Sequence, residues 1–260
     1  MKDKKQKLVE AAKKNVVGDA NIQEAKNKAG FLIIGVTLLI LICIGIYWAS
    51  KKPEFSSLEN KDAIKFQEEY ESLNCEGDED CKYLTVEVDD ENPIQYSSYD
   101  EIFEILESGT GVIYFGFKEC PWCRNLVPNM LSAAKNAGID KIYYLDNHTD
   151  RNLVTVRKDN KLEETKEGTE NYHKLLEKID SVSSMYRLYD EDGKLIENDY
   201  KRLYFPTVLC VKDGKIVGFH EATLESQTNP SVPLTKEQQK ELQDKLENDM
   251  LKTIVCDGAC

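Results

Sequence analysis

Cys120-Pro121-Trp122-Cys123 is the stretch on which the fold turns. It follows an apolar run, Val112-Ile113-Tyr114-Phe115, and opens a segment of helical spacing that runs to about Ala137 and stops at Gly138. A second segment, Phe205-Pro206-Thr207, opens another apolar run through Val211, and its proline lies 83 residues beyond Cys123. Two cysteines separated by two residues at a strand-to-helix junction read as a redox dithiol. Helix geometry puts both sulfurs on the first turn. Cys120 then sits at the N-terminus, where unpaired N–H groups and the dipole stabilise a negative sulfur. Pro121 suits the first helical position because it has no N–H to satisfy. In such sites the thiol pKa falls from about 8.5 to between about 3.5 and about 7.5. Glu119 adds an opposing charge and Trp122 supplies no cation, so an intermediate redox potential is expected.

Around this centre the periodicities alternate. Leu84, Val86 and Val88 alternate with polar residues as in a half-buried strand. Ser98-x-x-Glu101 is a capping box for a helix with Tyr99, Ile102, Phe103 and Leu106 at helical spacing. Val112–Phe117 is an apolar run broken by Gly116, as expected of a strand buried on both faces, and Ile142–Leu145 is the next strand. From Asn147 to Gly168 the chain is polar and shows no clear period. Tyr172, Leu175, Leu176, Ile179 and Val182 predict an amphipathic helix, and Arg187–Glu197 a hairpin turning at Asp192-Gly193. Thr207–Val211 and Lys215–Phe219 predict a hairpin around Asp213-Gly214. Thr235-x-x-Gln238 caps a last helix with Leu242, Leu246 and Met250 inward. The order predicts a mixed α/β sheet with helices on both faces.

The chain has 260 residues, a net charge of −13 and 41% hydrophobic residues, enough for a packed core. Residues 1–28 hold eight lysines against four acids, so the remainder carries −17. An acidic body offers no cationic footprint for phosphates and argues against nucleic-acid binding. Residues 29–49 are 21 positions without a charge, long enough at about 1.5 Å per residue to cross roughly 30 Å of hydrocarbon. Tyr47 and Trp48 stand where an aromatic belt is expected. A cleaved signal peptide competes with a retained anchor. The long preceding segment, the length of the apolar run and the lack of an Ala-x-Ala site favour the anchor. A lipidated Cys43 is disfavoured because Ile42, not a small residue, precedes it. Lys13, Lys14, Lys26 and Lys28 stand before the span and Lys51 and Lys52 after it, which favours a cytoplasmic N-terminus. The expected order is a cytoplasmic segment (1–28), a transmembrane helix (29–49), a linker with a short helix from about Asp62 to Leu73 and the Cys75/Cys81 loop (50–83), an α/β domain (84–255) and a cysteine tail (256–260). Disulfides persist outside the cytoplasm, in agreement with the cysteine usage.

Gly116-Phe-Lys-Glu-Cys-Pro-Trp-Cys-Arg, Pro128, Phe205-Pro-Thr-Val, Asp213-Gly-Lys-Ile-Val and the terminal helix together resemble the thioredoxin superfamily. More narrowly, they resemble the membrane-anchored thioredoxin-like proteins of Gram-positive bacteria, a group that includes bacteriocin transport accessory proteins. The resemblance covers roughly residues 84–255, with an insertion of about 147–200 before the cis-proline strand. It implies Cys120 as nucleophile, Cys123 as resolving cysteine, Pro206 as the cis proline and Pro128 as the proline that kinks the active-site helix. A cis Phe205–Pro206 bond would turn the Phe205 N–H and C=O toward a bound peptide. Trp122 reads either as an apolar contact for substrate chains or as plain packing. One departure stands out. Thioredoxins bury an aspartate six residues before the first cysteine; this chain has Tyr114. A phenol, with a reference pKa of about 10, does not readily accept that proton at neutral pH.

The expected activity is thiol–disulfide exchange on extracytoplasmic proteins at the cell membrane. Its partners are protein thiols and disulfides and a membrane redox partner, and no bound organic cofactor is expected because no glycine-rich phosphate loop appears. Two alternatives stand beside it. One is a thioredoxin-fold binding or accessory module of an export system without turnover. The other is a zinc-stabilised domain in which Cys120, Cys123, Cys256 and Cys260 supply the ligands. Otherwise Cys75/Cys81 and Cys256/Cys260 read as two short structural disulfides, and a Cys256/Cys260 electron relay is the sharper reading of the tail. Cys210 follows the strand pattern as a buried thiol. His148, His173 and His220 are scattered and read as surface or core residues.

Overall fold

The computed structural model describes residues 61–75 and 81–254. The expected membrane span at 29–49 and the tail cysteines Cys256 and Cys260 lie outside the described residues. Among the described residues no helix is long and apolar enough to cross a membrane.

In chain order the elements begin with α1 (Lys61–Glu71), β1 (Ile94–Tyr96), α2 (Tyr99–Ser108), β2 (Gly111–Phe115), α3 (Pro121–Ala137) and β3 (Ile142–Leu145). After a 3-10 turn at His148–Asp150 come β4 (Leu153–Val156), β5 (Leu162–Lys166), α4 (Glu170–Lys178), β6 (Ser184–Met185), β7 (Leu188–Tyr189), β8 (Leu195–Ile196) and β9 (Lys201–Arg202). The chain closes with β10 (Thr207–Lys212), β11 (Lys215–Glu221) and α5 (Lys236–Ile254). One five-stranded sheet carries the body, in the order β1-β3-β2-β10-β11. The first three strands run parallel, and β10 and β11 are antiparallel.

Side-chain register assigns the layers. Cys210 stands opposite both Val112 and Gly218. A Cβ added to Gly218 would lie 2.7 Å from Asp249 Cβ, so α5 covers the Val112/Tyr114 face of the sheet. A Cβ on Gly111 would meet Tyr143 and approach Ile105, so α2 covers the opposite face. The helix pairs α3 with α5 and α2 with α4 pack together, giving a helical layer on each side. Val112, Ile113, Tyr114 and Phe115 are buried, as their unbroken apolar run requires.

Local signals set the helix ends. Glu101 N–H donates to Ser98 Oγ at 3.3 Å, and Ser98 N–H donates back to Glu101 Oε2 at 2.8 Å. Gln238 and Thr235 make the same reciprocal pair before α5. Gly138 ends α3 in the left-handed region at φ 71°, which a residue without Cβ enters at little cost.

Four features differ from the sequence reading. The segment 84–88 buries Val86 and Val88 but forms no strand. Side chains take its backbone groups instead: Val86 N–H donates to Asn74 Oδ1 at 2.9 Å, Asn74 Nδ2 to the Val86 carbonyl at 2.7 Å, and Val88 N–H to Glu71 Oε1 at 2.9 Å. The edge strand is β1 further on. The predicted linker helix is α1, and it belongs to the body: Phe66 and Tyr70 are fully buried in the core shared with Tyr114 and Tyr144. The polar stretch after Asn147 holds the β4–β5 hairpin, which turns through Asn160 at φ 59°. The helix expected to reach Val182 ends at Lys178. The hairpins predicted around Asp192-Gly193 and Asp213-Gly214 are present as β7–β8 and β10–β11.

Candidate active site

Cys120 caps α3. Its sulfur accepts the Cys123 N–H at 3.4 Å, and its thiol donates to the Phe205 carbonyl at 3.7 Å. Phe205–Pro206 is a cis peptide bond, and both residues are buried. The segments around Cys120 and Pro206, distant in sequence, thus meet at one sulfur. The sheet brings them there, because Thr207 at the start of β10 pairs with Phe115 at the end of β2.

Cys120 and Cys123 are free thiols with opposite electrostatics. The Cys120 thiol is lowered, first by the hydrogen bond from the Cys123 side chain; burial opposes this. The Cys123 and Trp122 N–H groups and the charge of Arg151 add to the lowering. Cys123 has no solvent exposure, and its thiol is pushed well up, first by burial and then by the Cys120 sulfur. The Phe117 backbone and the Tyr114 hydroxyl oppose that rise. Both thiols are buried, Cys120 with 6% of its surface exposed and Cys123 with none, and a more acidic outer thiol beside a reluctant inner one is what nucleophile and resolving roles require.

An aromatic and cationic rim surrounds Cys120. Phe205 packs edge-on against Phe117 at 5.4 Å, and the Arg151 guanidinium carbon stands 4.3 Å over the Phe205 ring. Arg151 Nε donates to the His148 carbonyl at 3.2 Å, and His148 stacks on Phe117 at 4.3 Å. Trp122 is half-buried and packs against the core edge. Glu119 is exposed.

Below the dithiol lies a tyrosine cluster. The hydroxyls of Tyr114 and Tyr70 are 2.8 Å apart, and Tyr144 donates to Glu69 Oε1 at 3.0 Å. The Tyr114 side chain runs over Gly116, where an added Cβ would overlap its hydroxyl and ring. Arg124, next to Cys123 and 2% exposed, donates to the carbonyls of Tyr70 (2.8 Å), Leu84 (2.6 Å) and Lys118 (3.2 Å) and to Asn74 Oδ1 (2.7 Å). These bonds fasten α1 and the segment after it to the active-site helix.

Cys75 and Cys81 are joined as a disulfide. Cys210 is buried on β10 and away from the dithiol rim. Among the described residues no three His, Cys, Asp or Glu side chains are grouped to hold a metal ion. The sequence reading gave no site role to Arg151, His148, Arg124 or Tyr70. A topological signal was available for the first two. They lie on the connection leaving the carboxyl end of β3, which is parallel to β2 and so emerges beside Cys120.

The fold and the site define a mixed α/β protein with a paired thiol at a helix N-terminus. No family model, curated protein or solved structure matches the chain.

Proposed function

We propose that this chain is a membrane-tethered thiol–disulfide oxidoreductase of thioredoxin-like fold, acting on disulfides of extracytoplasmic proteins through Cys120 and Cys123. The observation that carries the reading is the meeting of the two segments. The acidic Cys120 sulfur caps α3 and lies against the Phe205 carbonyl beside Pro206. The resemblance of both segments to the thioredoxin superfamily supports the same reading.

In the reductive direction the Cys120 thiolate attacks one sulfur of a protein disulfide. A Cys120–substrate S–S bond forms, the substrate's own S–S bond breaks, and its other sulfur leaves as a thiolate that takes a proton from water. Cys123 attacks Cys120 Sγ and its proton passes to the departing substrate sulfur. The Cys120–Cys123 bond forms, the mixed disulfide breaks, and the second substrate sulfur leaves and is protonated. Two electrons pass from the dithiol to the substrate. The same steps run backwards pass a disulfide to two substrate thiols. Trp122, Phe205 and Pro206 offer the apolar frame for the substrate chain. The span 29–49 tethers the body, with residues 1–28 cytoplasmic, and a membrane redox partner resets the pair for turnover.

The test is trapping in cells with Cys123→Ser, which blocks resolution. Reductant-sensitive protein adducts on Cys120 are expected, and they vanish when Cys120 is also changed to Ser. A variant that captures no protein overturns the reading; stoichiometric zinc in the purified protein points instead to the metal-stabilised alternative. A membrane-impermeant thiol reagent is expected to label Cys120 on intact cells after reduction, and failure to label overturns the extracytoplasmic placement.

A further inference from the structure

The five arginines of this chain differ in what they face. Arg157 pairs with Asp159 and Glu163, and Arg187 pairs with Glu221 at 2.7 Å. Arg124 and Arg202 are buried and donate to carbonyl and amide oxygens. Arg151 is partly exposed, yet among the described residues it is in no ion pair. Its Nε donates to the His148 carbonyl at 3.2 Å and its Nη1 to the Leu203 carbonyl at 3.5 Å. The acids around it are engaged elsewhere. Asp146 Oδ1 lies 2.6 Å from His148 Nδ1, Asp150 accepts the Tyr99 hydroxyl at 2.9 Å, and Glu221 is held by Arg187.

The place of this cation is fixed by two crossed bonds. Arg151 donates to the Leu203 carbonyl, and Arg202 donates to the Asn152 carbonyl. The segment leaving β3 is thereby fastened to the segment that enters the cis peptide bond. The Arg151 guanidinium carbon then stands 4.3 Å over the Phe205 ring, while the Phe205 carbonyl accepts the Cys120 thiol at 3.7 Å. One residue thus meets the nucleophile with its backbone and the cation with its ring.

We propose that Arg151 is a specificity-determining residue, which selects protein disulfides whose attacked cysteine has an Asp or Glu beside it. The proposal rests on the thiol–disulfide reading of the site and names the substrate class within it. A sulfur attacked by Cys120 brings its chain neighbours to the rim, since successive Cα atoms are about 3.8 Å apart. A carboxylate on such a neighbour meets a guanidinium that the fold has given only neutral acceptors, and Nη2 makes no hydrogen bond among the described residues. The planar fork of donors suits a carboxylate. The rest of the molecule works against an acidic substrate, because its net charge is −13 and its field repels one at a distance. A preference for acidic chains therefore has to be made at contact, by this cation.

The test uses the full-length chain carrying Cys123→Ser, so that the first attack is read alone as formation of the Cys120 adduct. The substrates are symmetrical disulfides of three peptides that differ only in the residue next to cysteine: Glu, Gln or Lys. The Glu peptide is expected to react about threefold faster than the Gln peptide, and the Lys peptide more slowly than both. Adding Arg151→Ala is expected to remove the advantage of Glu over Gln. Loss of the cation also makes Cys120 less reactive, but that slows all three peptides alike and leaves their ratios unchanged. Arg157→Ala removes a surface cation of the same charge and is expected to keep the preference. Equal rates with Glu and Gln overturn the proposal, and so does a Glu preference that survives Arg151→Ala. An equal loss of preference in Arg157→Ala marks net charge instead of contact and overturns it too. The order of the three peptides is read with Arg151 in place, so it decides the matter even if Arg151→Ala does not fold. If the Cys123→Ser chain forms no adduct with any peptide, the thiol–disulfide reading itself fails, a distinct outcome.

Discussion

At the scale of single residues, the unexpected group is Arg151. A chain with a net charge of −13 places a guanidinium where its charge favours the Cys120 thiolate, its carbon 4.3 Å over the ring of Phe205. Its charge favours the Cys120 thiolate, so removing it raises the Cys120 thiol. In Arg151→Ala, alkylation of Cys120 near neutral pH is expected to slow by about threefold, with the rate–pH profile moving to the alkaline side; Arg151→Lys is expected to keep part of the effect. Cys123 is buried and does not compete for the reagent. An unchanged profile in Arg151→Ala excludes an electrostatic role for the cation. The dithiol was legible because two cysteines at a helix start follow a fixed spacing. Arg151 was not, because its position depends on where the connection after β3 returns to the sheet end, and no local period encodes that. Glu119, one residue before the nucleophile, was the visible charge in the sequence, yet it points to solvent.

At the scale of elements, α1 changes the boundary of the body. Read as a linker helix, it is instead the lid of the tyrosine cluster. Phe66 lies tilted against Tyr70 with centroids 4.5 Å apart and meets Tyr144 edge-on at 5.0 Å. Full burial of that ring makes Phe66→Ala a cavity-forming change. It is expected to cost about 3–5 kcal/mol in equilibrium unfolding. A cost below about 1 kcal/mol would show that α1 is peripheral after all. Ala63, Phe66 and Tyr70 stand at helical spacing in the sequence, but spacing does not name the surface that such a stripe covers. Elements with strong local chemistry were legible: the Ser98/Glu101 box, the Gly138 stop and the Asp213-Gly214 hairpin. The β4–β5 hairpin was not, because β5 is largely exposed and its Glu-Glu-Thr-Lys carries no apolar alternation. The segment 84–88 misled in the opposite way. Its alternating burial is real, but its hydrogen bonds go to Asn74 and Glu71 rather than to a strand.

At the scale of the whole molecule, the core holds several groups that ionise on the alkaline side. Tyr70, Tyr114 and Tyr144 are raised first by burial, Cys123 likewise, and Cys210 is pushed up to about 12 by burial and then by Asp249. A group raised in the folded state keeps its proton while the unfolded chain gives it up, so its stabilising contribution is complete below the ordinary pKa and falls as pH rises toward the folded value. For Cys210 that window opens near 9.0 and extends to about 12. Cys210 lies on β10 beneath α5, apart from the exchange chemistry, so it reports stability alone. Cys210→Val keeps the apolar volume and removes the titrating group. Relative to this variant, wild type is expected to lose about 1 kcal/mol of unfolding free energy by pH 10 and nothing at pH 7. Denaturant midpoints across that range check it, and parallel curves for the two proteins sink it. His220 sets the opposite edge. Burial lowers its imidazole, so its contribution is present above the ordinary histidine value and is lost as pH falls through that range. Its buried Nε2 has no hydrogen-bond partner in the fold, so protonation there puts a charge where nothing receives it. The plateau of stability therefore lies between histidine protonation and thiol ionisation. Cys120 shifts the other way: the hydrogen bond from the Cys123 side chain, with burial opposing it, lowers its thiol, so among the described thiols it is the one that the fold makes more acidic.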